Sequence, residues 1–229
     1  MIRVRAGMRV VDLGCGTGEL TELLAGRLPG SDVLGIDSSE TMLELAHPRA
    51  RRGLRFEKRR IEDVEGTWDL VFSHAAIHWV EDHDTLVPRL WSFLAPGGAL
   101  AVQQPSNHHH RAHAAVREVA GRDPFRAALD GWVRHSPVLE VGHYADLLSG
   151  LGAASVTVIE KVYPHVLEDA DAVLEWNRGT VLSPYLERLP EELHPDFLET
   201  YRESLHALMP GSPVFYGYRR ILFSAERPE

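Results

Sequence analysis

Short β-branched runs ending in glycine or an acid alternate along the first half of the chain with stretches whose apolar residues recur every three or four positions. MRVVDLG (8–14) reads as a buried strand, and the leucines at 20, 23, 24 and 28 after it fit the helical period. Thr17 stands where that helix needs a cap, and Pro29-Gly30 stop it. DVLGID (32–37) is a second buried strand. Ser38 or Ser39 caps the next helix, which carries Met42, Leu43, Leu45 and Ala46 and ends at Pro48. LRFEK (54–58) and TWDLVFSH (67–74) predict a third and fourth strand, with AIHWV (76–80) as a loop or turn. TLVPRLWSFL (85–94) is helical despite Pro88, and Pro96-Gly97-Gly98 turn the chain into a fifth strand, ALAVQQP (99–105).

This alternation has the spacing of right-handed crossover units, so a parallel sheet with helices on both faces is expected. Past residue 105 the pattern changes. Residues 106–139 hold no clear strand, HYADLLSGLG (143–152) is a helix, and ASVTVIEKVYPHV (154–166) and YRRILFSAE (218–226) alternate like strands. Helical signals fill 168–209, separated by Pro184, Pro190 and Pro195. The expected architecture is α/β: a seven-stranded, mostly parallel sheet whose last strand is antiparallel, in one domain over 1–229. Residues 8–104 form its core, and helical insertions at 105–140 and 166–212 cover the substrate side.

The 229 residues suffice for one well-packed domain, and 44% apolar with 25% charged is an ordinary globular balance. No apolar run approaches the length of a bilayer span, and MIRVRAGMRV lacks the apolar core of a signal peptide. A single cysteine, Cys15, allows no internal disulfide and suits a reducing cytoplasm. The net charge of −9, with only short basic clusters (Arg49, Arg51, Arg52; Lys58, Arg59, Arg60), argues against a nucleic-acid partner. A monomer or homodimer without a membrane partner is expected.

The chemistry starts at VVDLGCGTGEL (10–20), a strand, a glycine-rich turn and a helix. Glycine permits positive φ and lets a ligand approach the backbone. A dinucleotide site wants G-x-G-x-x-G, but Gly18 comes one residue early and Glu19 takes the place of the last glycine, which counts against a nicotinamide dehydrogenase. Asp12 at the entrance would repel a pyrophosphate and suits a ligand with an amino group. Asp37 ends the second strand 19 residues after Gly18, where a carboxylate can accept from both hydroxyls of a ribose. A ribosyl ligand with an amine and no phosphate is therefore called for, and S-adenosylmethionine fits, with S-adenosylhomocysteine as its product.

These residues resemble the class I S-adenosylmethionine-dependent methyltransferases: VVDLGCGTG their first motif, GIDSSETML their second, LAPGGALAV the segment around their fifth strand. SHAAIHWVEDH, QQPSN, LEWNRGTVLSPYLERL and RRILFSAER are similar, more narrowly, to the trans-aconitate 2-methyltransferases. The resemblance implies a Rossmann-like fold in which Gly14, Gly16 and Gly18, with Cys15 as the small residue between them, line the methionine part of the cofactor. Asp12 would face its amino group, Asp37 its ribose, and Ser38 and Met42 its adenine. An acid after the third strand usually clamps the adenine. Arg60 falls at that place here, with Glu62 and Asp63 just downstream and Ile61 able to pack on the ring. Ser73 and His74 would lie near the sulfonium, His78 and Trp79 near the mouth. In the relatives a longer segment precedes the first strand and folds over the cofactor. Here seven residues precede residue 8, which implies a site without that lid.

A carboxylate acceptor is already a nucleophile at neutral pH, so the expected reaction is O-methylation of an acidic metabolite such as trans-aconitate, without a strong base. Such an acceptor needs cationic or neutral donors, for which Arg178, Arg219, Arg220, Tyr185, Tyr216, Gln104 and His108 are candidates. Alternation along the last strand points Arg219 and Arg220 opposite ways. The relatives often carry TGLRP where this chain has Thr180-Val181-Leu182-Ser183-Pro184, so an arginine able to hold a carboxylate is Ser183 here. For a hydroxyl acceptor, His74 or His78 would be the catalytic base. His108, His109, His110 and His113 have helical spacing for a metal, but no completing ligand pattern accompanies them, and none is expected. The alternatives are methyl transfer to carbon, nitrogen or a hydroxyl, or a protein that binds the cofactor without turnover.

Overall fold

The computed structural model describes residues 4–229; the first three residues of the stretch read for a leader lie outside them. Seven strands form one sheet: β1 (Arg9–Leu13), β2 (Asp32–Asp37), β3 (Leu54–Lys58), β4 (Trp68–His74), β5 (Leu94–Pro105), β6 (Ser155–Leu167) and β7 (Val214–Glu226), in the order β3-β2-β1-β4-β5-β7-β6. β1 to β5 pair in parallel and β7 runs antiparallel to β5, from Ala99 opposite Glu226 to Pro105 opposite Arg220. The helices are α1 (Glu19–Arg27), α2 (Glu40–Ala46), α3 (His83–Ser92), α4 (Arg111–Ala120), α5 (Phe125–Ala128), α6 (Val141–Gly150), α7 (Ala170–Asn177), α8 (Ser183–Leu186) and α9 (His194–Leu208). None is long and apolar enough to cross a membrane.

Contacts gather the chain into two compact units: Met1–Pro105 with Pro137–Lys161 and Arg220–Glu229, and Ser106–Ser136 with Val162–Arg219. In the first, successive strand residues feed opposite faces, as the period of two requires. Val10, Val33, Leu70 and Ala99 pack with Leu28, Leu43 and Ala46 from the α1 and α2 side. Val11, Leu34, Val71 and Leu100 pack with Leu86, Leu90, Tyr144 and Leu148 of α3 and α6. The second unit has its own core of Ala112, Val116, Val173, Phe197, Tyr201 and neighbours from α4, α7 and α9.

One local expectation is corrected. Thr17 does not cap α1. Gly18 stands at the cap with φ 77 and no side chain closes that end, because the turn must swing through the left-handed region before the helix begins. The leucine stripe is buried only in part, with Leu28 in the core and Leu24 packed against it. Leu20 and Leu23 are 46% and 63% exposed, while Thr21 is fully buried. Ser39 caps α2 as expected, its hydroxyl accepting from the Met42 N–H at 3.3 Å.

Candidate active site

The order β3-β2-β1-β4-β5 reverses the chain's direction of travel at β1/β4, and the crevice outside the strand ends at such a switch point is where open α/β sheets take ligands. A cleft of about 560 Å³ lies there, lined by Gly14, Gly16, Asp37, Ser38, Met42, Arg59, Arg60, Ile61, Glu62, Ala75, Ala76, Trp79 and Val80.

Its floor is the glycine turn. The Gly14 and Cys15 N–H groups both donate to the Ile36 carbonyl at 2.9 Å, which ties the turn to β2. Gly14 has φ +72, and a Cβ there would meet the Ala76 Cβ at 2.2 Å, so the loop after β4 requires glycine opposite it. Gly16, at φ +55, differs: a Cβ on it would meet nothing within 4 Å and would project into open space. Asp37 completes the floor. One carboxylate oxygen accepts from the Gly16 N–H at 2.9 Å and the other from the Ser39 N–H at 2.9 Å, fixing the carboxylate between the turn and the start of α2.

On the far side Arg60 and Glu62 form a 2.6 Å ion pair, and the arginine holds the Glu62 carboxyl below its ordinary range. The loop after β4 includes Ala75 at φ 54, a strained value for a side-chain-bearing residue, and leads into a 3-10 turn over Ile77–Trp79. That turn sets Trp79 at the mouth, 53% exposed, with the His78 ring 4.9 Å from its own.

The cleft thus gathers Gly14, Gly16, Asp37, Ser38, Met42, Ile61 and Glu62 from the expected cofactor residues, and Trp79 from the expected acceptor residues. Others are placed beside it. Asp12 is 2% exposed and accepts from the Thr21 hydroxyl at 2.6 Å; burial pushes its carboxyl up to about 6, against that hydrogen bond and with help from the Asp37 charge. Ser73 is buried, donating to the Leu13 carbonyl at 3.2 Å. Cys15 is buried, its thiol pushed up to about 12 chiefly by burial and then by the negative charges of Asp12 and Asp37, which favours the neutral thiol. Gly18 serves packing, since a Cβ there would strike the Phe56 ring at 2.8 Å. His74, half-buried at the end of β4, is lowered by burial and by the charge of Arg220 on β7, so it is neutral at pH 7.

Four further acceptor candidates are already engaged within their own units. Gln104 is fully buried and donates to the Tyr144 hydroxyl at 2.7 Å. That hydroxyl also accepts from the Leu139 N–H and pairs with Nδ1 of His83. In the second unit Tyr185 lies in the core, its hydroxyl accepting from the Arg134 N–H at 3.1 Å. Tyr216 is also buried, accepting from Asn107 Nδ2 at 3.3 Å and donating to Asn177 Oδ1 at 3.1 Å. Arg178 lies in a surface ion pair with Glu175 at 2.7 Å. Sequence reasoning passed over Ala75, Ala76 and Val80; the visible signal was the pair of small residues straight after the fourth strand, where a glycine turn must be approached closely.

Fold and cleft define an α/β protein with a ligand crevice at the carboxyl ends of its parallel strands. A family model described as a methyltransferase domain matches residues 5–130. The trans-aconitate 2-methyltransferase of Deinococcus radiodurans is 46% identical over all of this chain and 90% of its own length. The enzyme of that name from Variovorax paradoxus is 42% identical over 88% of this chain and 79% of its own. Among solved structures, the YcgJ protein of Bacillus subtilis superposes with a TM-score of 0.62 at 16% identity, covering 99% of this chain and 94% of the other. A phosphoethanolamine N-methyltransferase of Haemonchus contortus, solved with S-adenosylhomocysteine, gives 0.59 at 18% identity; this chain, 99% covered, spans half of that one. The chain belongs to the methyltransferase-domain family, in the group of the trans-aconitate 2-methyltransferases. It is an S-adenosylmethionine-dependent enzyme that methylates a small molecule.

Proposed function

We propose that the enzyme methylates a carboxylate of trans-aconitate, or of a closely similar polycarboxylate, to give a methyl ester. The observation that carries this reading is the 46% identity, over the whole chain, to a relative bearing that name.

The cleft's own chemistry fits the cofactor. Gly16 leaves open the space that a Cβ would fill, and the donor set is acidic where a ribose and an ammonium would sit. When bound, S-adenosylmethionine supplies a methyl group on a positively charged sulfur, open to in-line displacement. Asp37 would hold the ribose hydroxyls, since each carboxylate oxygen keeps a lone pair beyond its bond to the backbone. Ser38, Met42, Ile61 and Glu62 would flank the adenine, Gly14 and Gly16 the methionine. Asp12, whose charge burial disfavours, would be matched by the ammonium.

A carboxylate acceptor arrives as an anion and gives up no proton. His74, neutral at pH 7, then serves as a hydrogen-bonding wall rather than a base, and His78 beside Trp79 helps close the mouth. What the chain contributes is alignment and exclusion of water, which can supply many powers of ten in effective concentration. Its single buried cysteine suits the cytoplasm, as a monomer or homodimer.

The test is calorimetric titration of S-adenosylmethionine and S-adenosylhomocysteine into wild type and Asp37→Ala, followed by a carboxylic-acid panel read by methyl-ester formation. Micromolar binding that the variant loses, with trans-aconitate or a similar polycarboxylate turned over best, is expected. Turnover confined to amines or alcohols would remove the acceptor assignment, and absence of binding by wild type would remove the cofactor roles given to these residues.

A further inference from the structure

The segment between β4 and α3, residues 75–82, supplies Ala75, Ala76, Trp79 and Val80 to the wall of the cleft. Both its ends stand in backbone that side-chain-bearing residues rarely adopt, Ala75 at φ 54 and Asp82 at φ 55, so contacts elsewhere must fix its path. The fixed point is the Ile77 carbonyl. It accepts the Val80 N–H at 2.9 Å, which closes the 3-10 turn, and Nε2 of His83, the first residue of α3, lies 3.0 Å from it. Ile77 and His83 are both buried.

A carbonyl only accepts, so the proton between the two groups sits on Nε2 of His83. Burial lowers His83 from its ordinary range, outweighing its backbone hydrogen bonds and the charges of Glu81 and Asp82, and the ring is neutral at pH 7. Nδ1 of a neutral ring protonated at Nε2 is an acceptor, and it faces the Tyr144 hydroxyl, which donates to it. The two lone pairs of that hydroxyl are taken by the Leu139 N–H at 3.2 Å and by Nε2 of Gln104 at 2.7 Å. The Tyr144 ring is itself fully buried and stacks on Phe223 of β7 at 4.8 Å. Each hydrogen-bonding position of the His83–Tyr144 pair is therefore used, and the pair ties the Ile77 carbonyl to β5, α6 and β7.

We propose that His83, oriented by Tyr144, is a positioning residue for the cofactor: it holds the Ile77 carbonyl, and thereby the turn that presents Trp79 and Val80 to the ligand. The role rests on the cofactor reading of the cleft given above. It moves Gln104 from the acceptor to the support of Tyr144. Neither His83 nor Tyr144 lines the cleft, so their effect on a ligand must travel through the turn. An apolar residue at 83 would fill the space but leave the Ile77 carbonyl one donor short and the Tyr144 hydroxyl without an acceptor, which removes the constraint on the turn.

The test is a double-mutant cycle on the full chain: wild type, His83→Leu, Trp79→Ala and the double variant, with His83→Gln and Tyr144→Phe alongside. Calorimetry gives the affinity for S-adenosylhomocysteine well below each melting temperature, which is measured separately. His83→Leu is expected to weaken binding about tenfold, the worth of a single hydrogen bond. In the Trp79→Ala background, where the ring to be positioned is gone, the further loss is expected to be less than about threefold. His83→Gln, whose amide can donate to the Ile77 carbonyl and accept from Tyr144, should recover most of the affinity. Tyr144→Phe keeps the ring on Phe223 and should weaken binding several-fold; it takes the place of His83→Leu in the cycle if that variant does not fold. Lower melting temperatures with unchanged affinity, or equal losses in both backgrounds, overturn the positioning role and leave the cofactor cleft intact. A wild type that binds no S-adenosylhomocysteine removes the cleft reading itself, and the role with it.

Discussion

Replacing Asp12 by asparagine is expected to make the enzyme more stable at pH 8 and poorer at holding its cofactor. Asp12 sits on β1 at 2% exposure with the Thr21 hydroxyl 2.6 Å away, and burial raises its carboxyl from 3.8 to about 6. The folded value lies above the unfolded one, so the native state binds the proton more tightly. The carboxyl therefore carries no penalty well below pH 4; stability is lost as pH climbs from about 4 through about 6, and then levels off. At about 1.4 kcal/mol per pH unit the rise amounts to about 3 kcal/mol at pH 8 and about 0.5 kcal/mol at pH 4. Asparagine keeps the shape and an oxygen for Thr21 but carries no charge. Urea unfolding of both proteins from pH 4 to pH 8 should give curves that nearly meet at pH 4 and stand about 3 kcal/mol apart at pH 8, the variant higher. Titration at pH 8 should show S-adenosylmethionine bound at least about tenfold more weakly by Asp12→Asn, since a buried charge kept at such a cost is the mark of a functional group. Stability curves that run parallel would refute the burial argument, and unchanged affinity would refute the pairing with the ammonium.

The last two glycines of the turn should separate by assay. Gly16→Ala puts a methyl into open space at positive φ, so it should cost about 1–2 kcal/mol of stability and lower cofactor affinity at least about tenfold. Gly18→Ala drives the same methyl into the Phe56 ring at 2.8 Å, and is expected to lower the urea midpoint further while sparing the affinity of the folded fraction. Trp79→Ala removes a half-exposed ring from the mouth, so cofactor affinity should fall several-fold with a melting temperature within about 2 °C of wild type; loss of the fluorescence change on titration would locate that tryptophan at the ligand.

The alternation of apolar runs was enough to show the parallel sheet, its switch point and the crevice there, because each strand end and turn is coded within a few consecutive residues. Gly14, Gly16 and Asp37 could be placed for the same reason: turn chemistry and strand termini are local. Gln104, Tyr185 and Tyr216 were not legible. Their polar ends are the types that contact an acid, but Tyr144, the Arg134 N–H, Asn107 and Asn177 claim them, partners brought from as far as 109 positions away. An isolated polar side chain in a sequence does not reveal whether its hydrogen bond is made indoors.

The leucines of α1 show how the site itself can reverse a pattern. Positions 20, 23, 24 and 28 fit a helical stripe, and in a helix serving only the core that stripe would face the sheet. Beneath α1, however, β1 carries Asp12 into the interior, and a buried carboxylate needs a donor. Thr21 supplies it, so the helix turns Thr21 inward and leaves Leu20 and Leu23 largely outside. Burying the parts of those two leucines that remain exposed would have gained about 1.5–3 kcal/mol of apolar transfer, a sum the acid's position forgoes. The helix was therefore readable from periodicity, but its orientation followed from the one acidic residue in the strand before it. Thr21→Val tests that dependence: with the donor gone the variant should be destabilised by about 1–3 kcal/mol at pH 8 and much less at pH 4, where Asp12 is protonated. Equal destabilisation at both pH values would mean that the hydroxyl packs rather than bonds, and that the face of α1 is set by something other than Asp12.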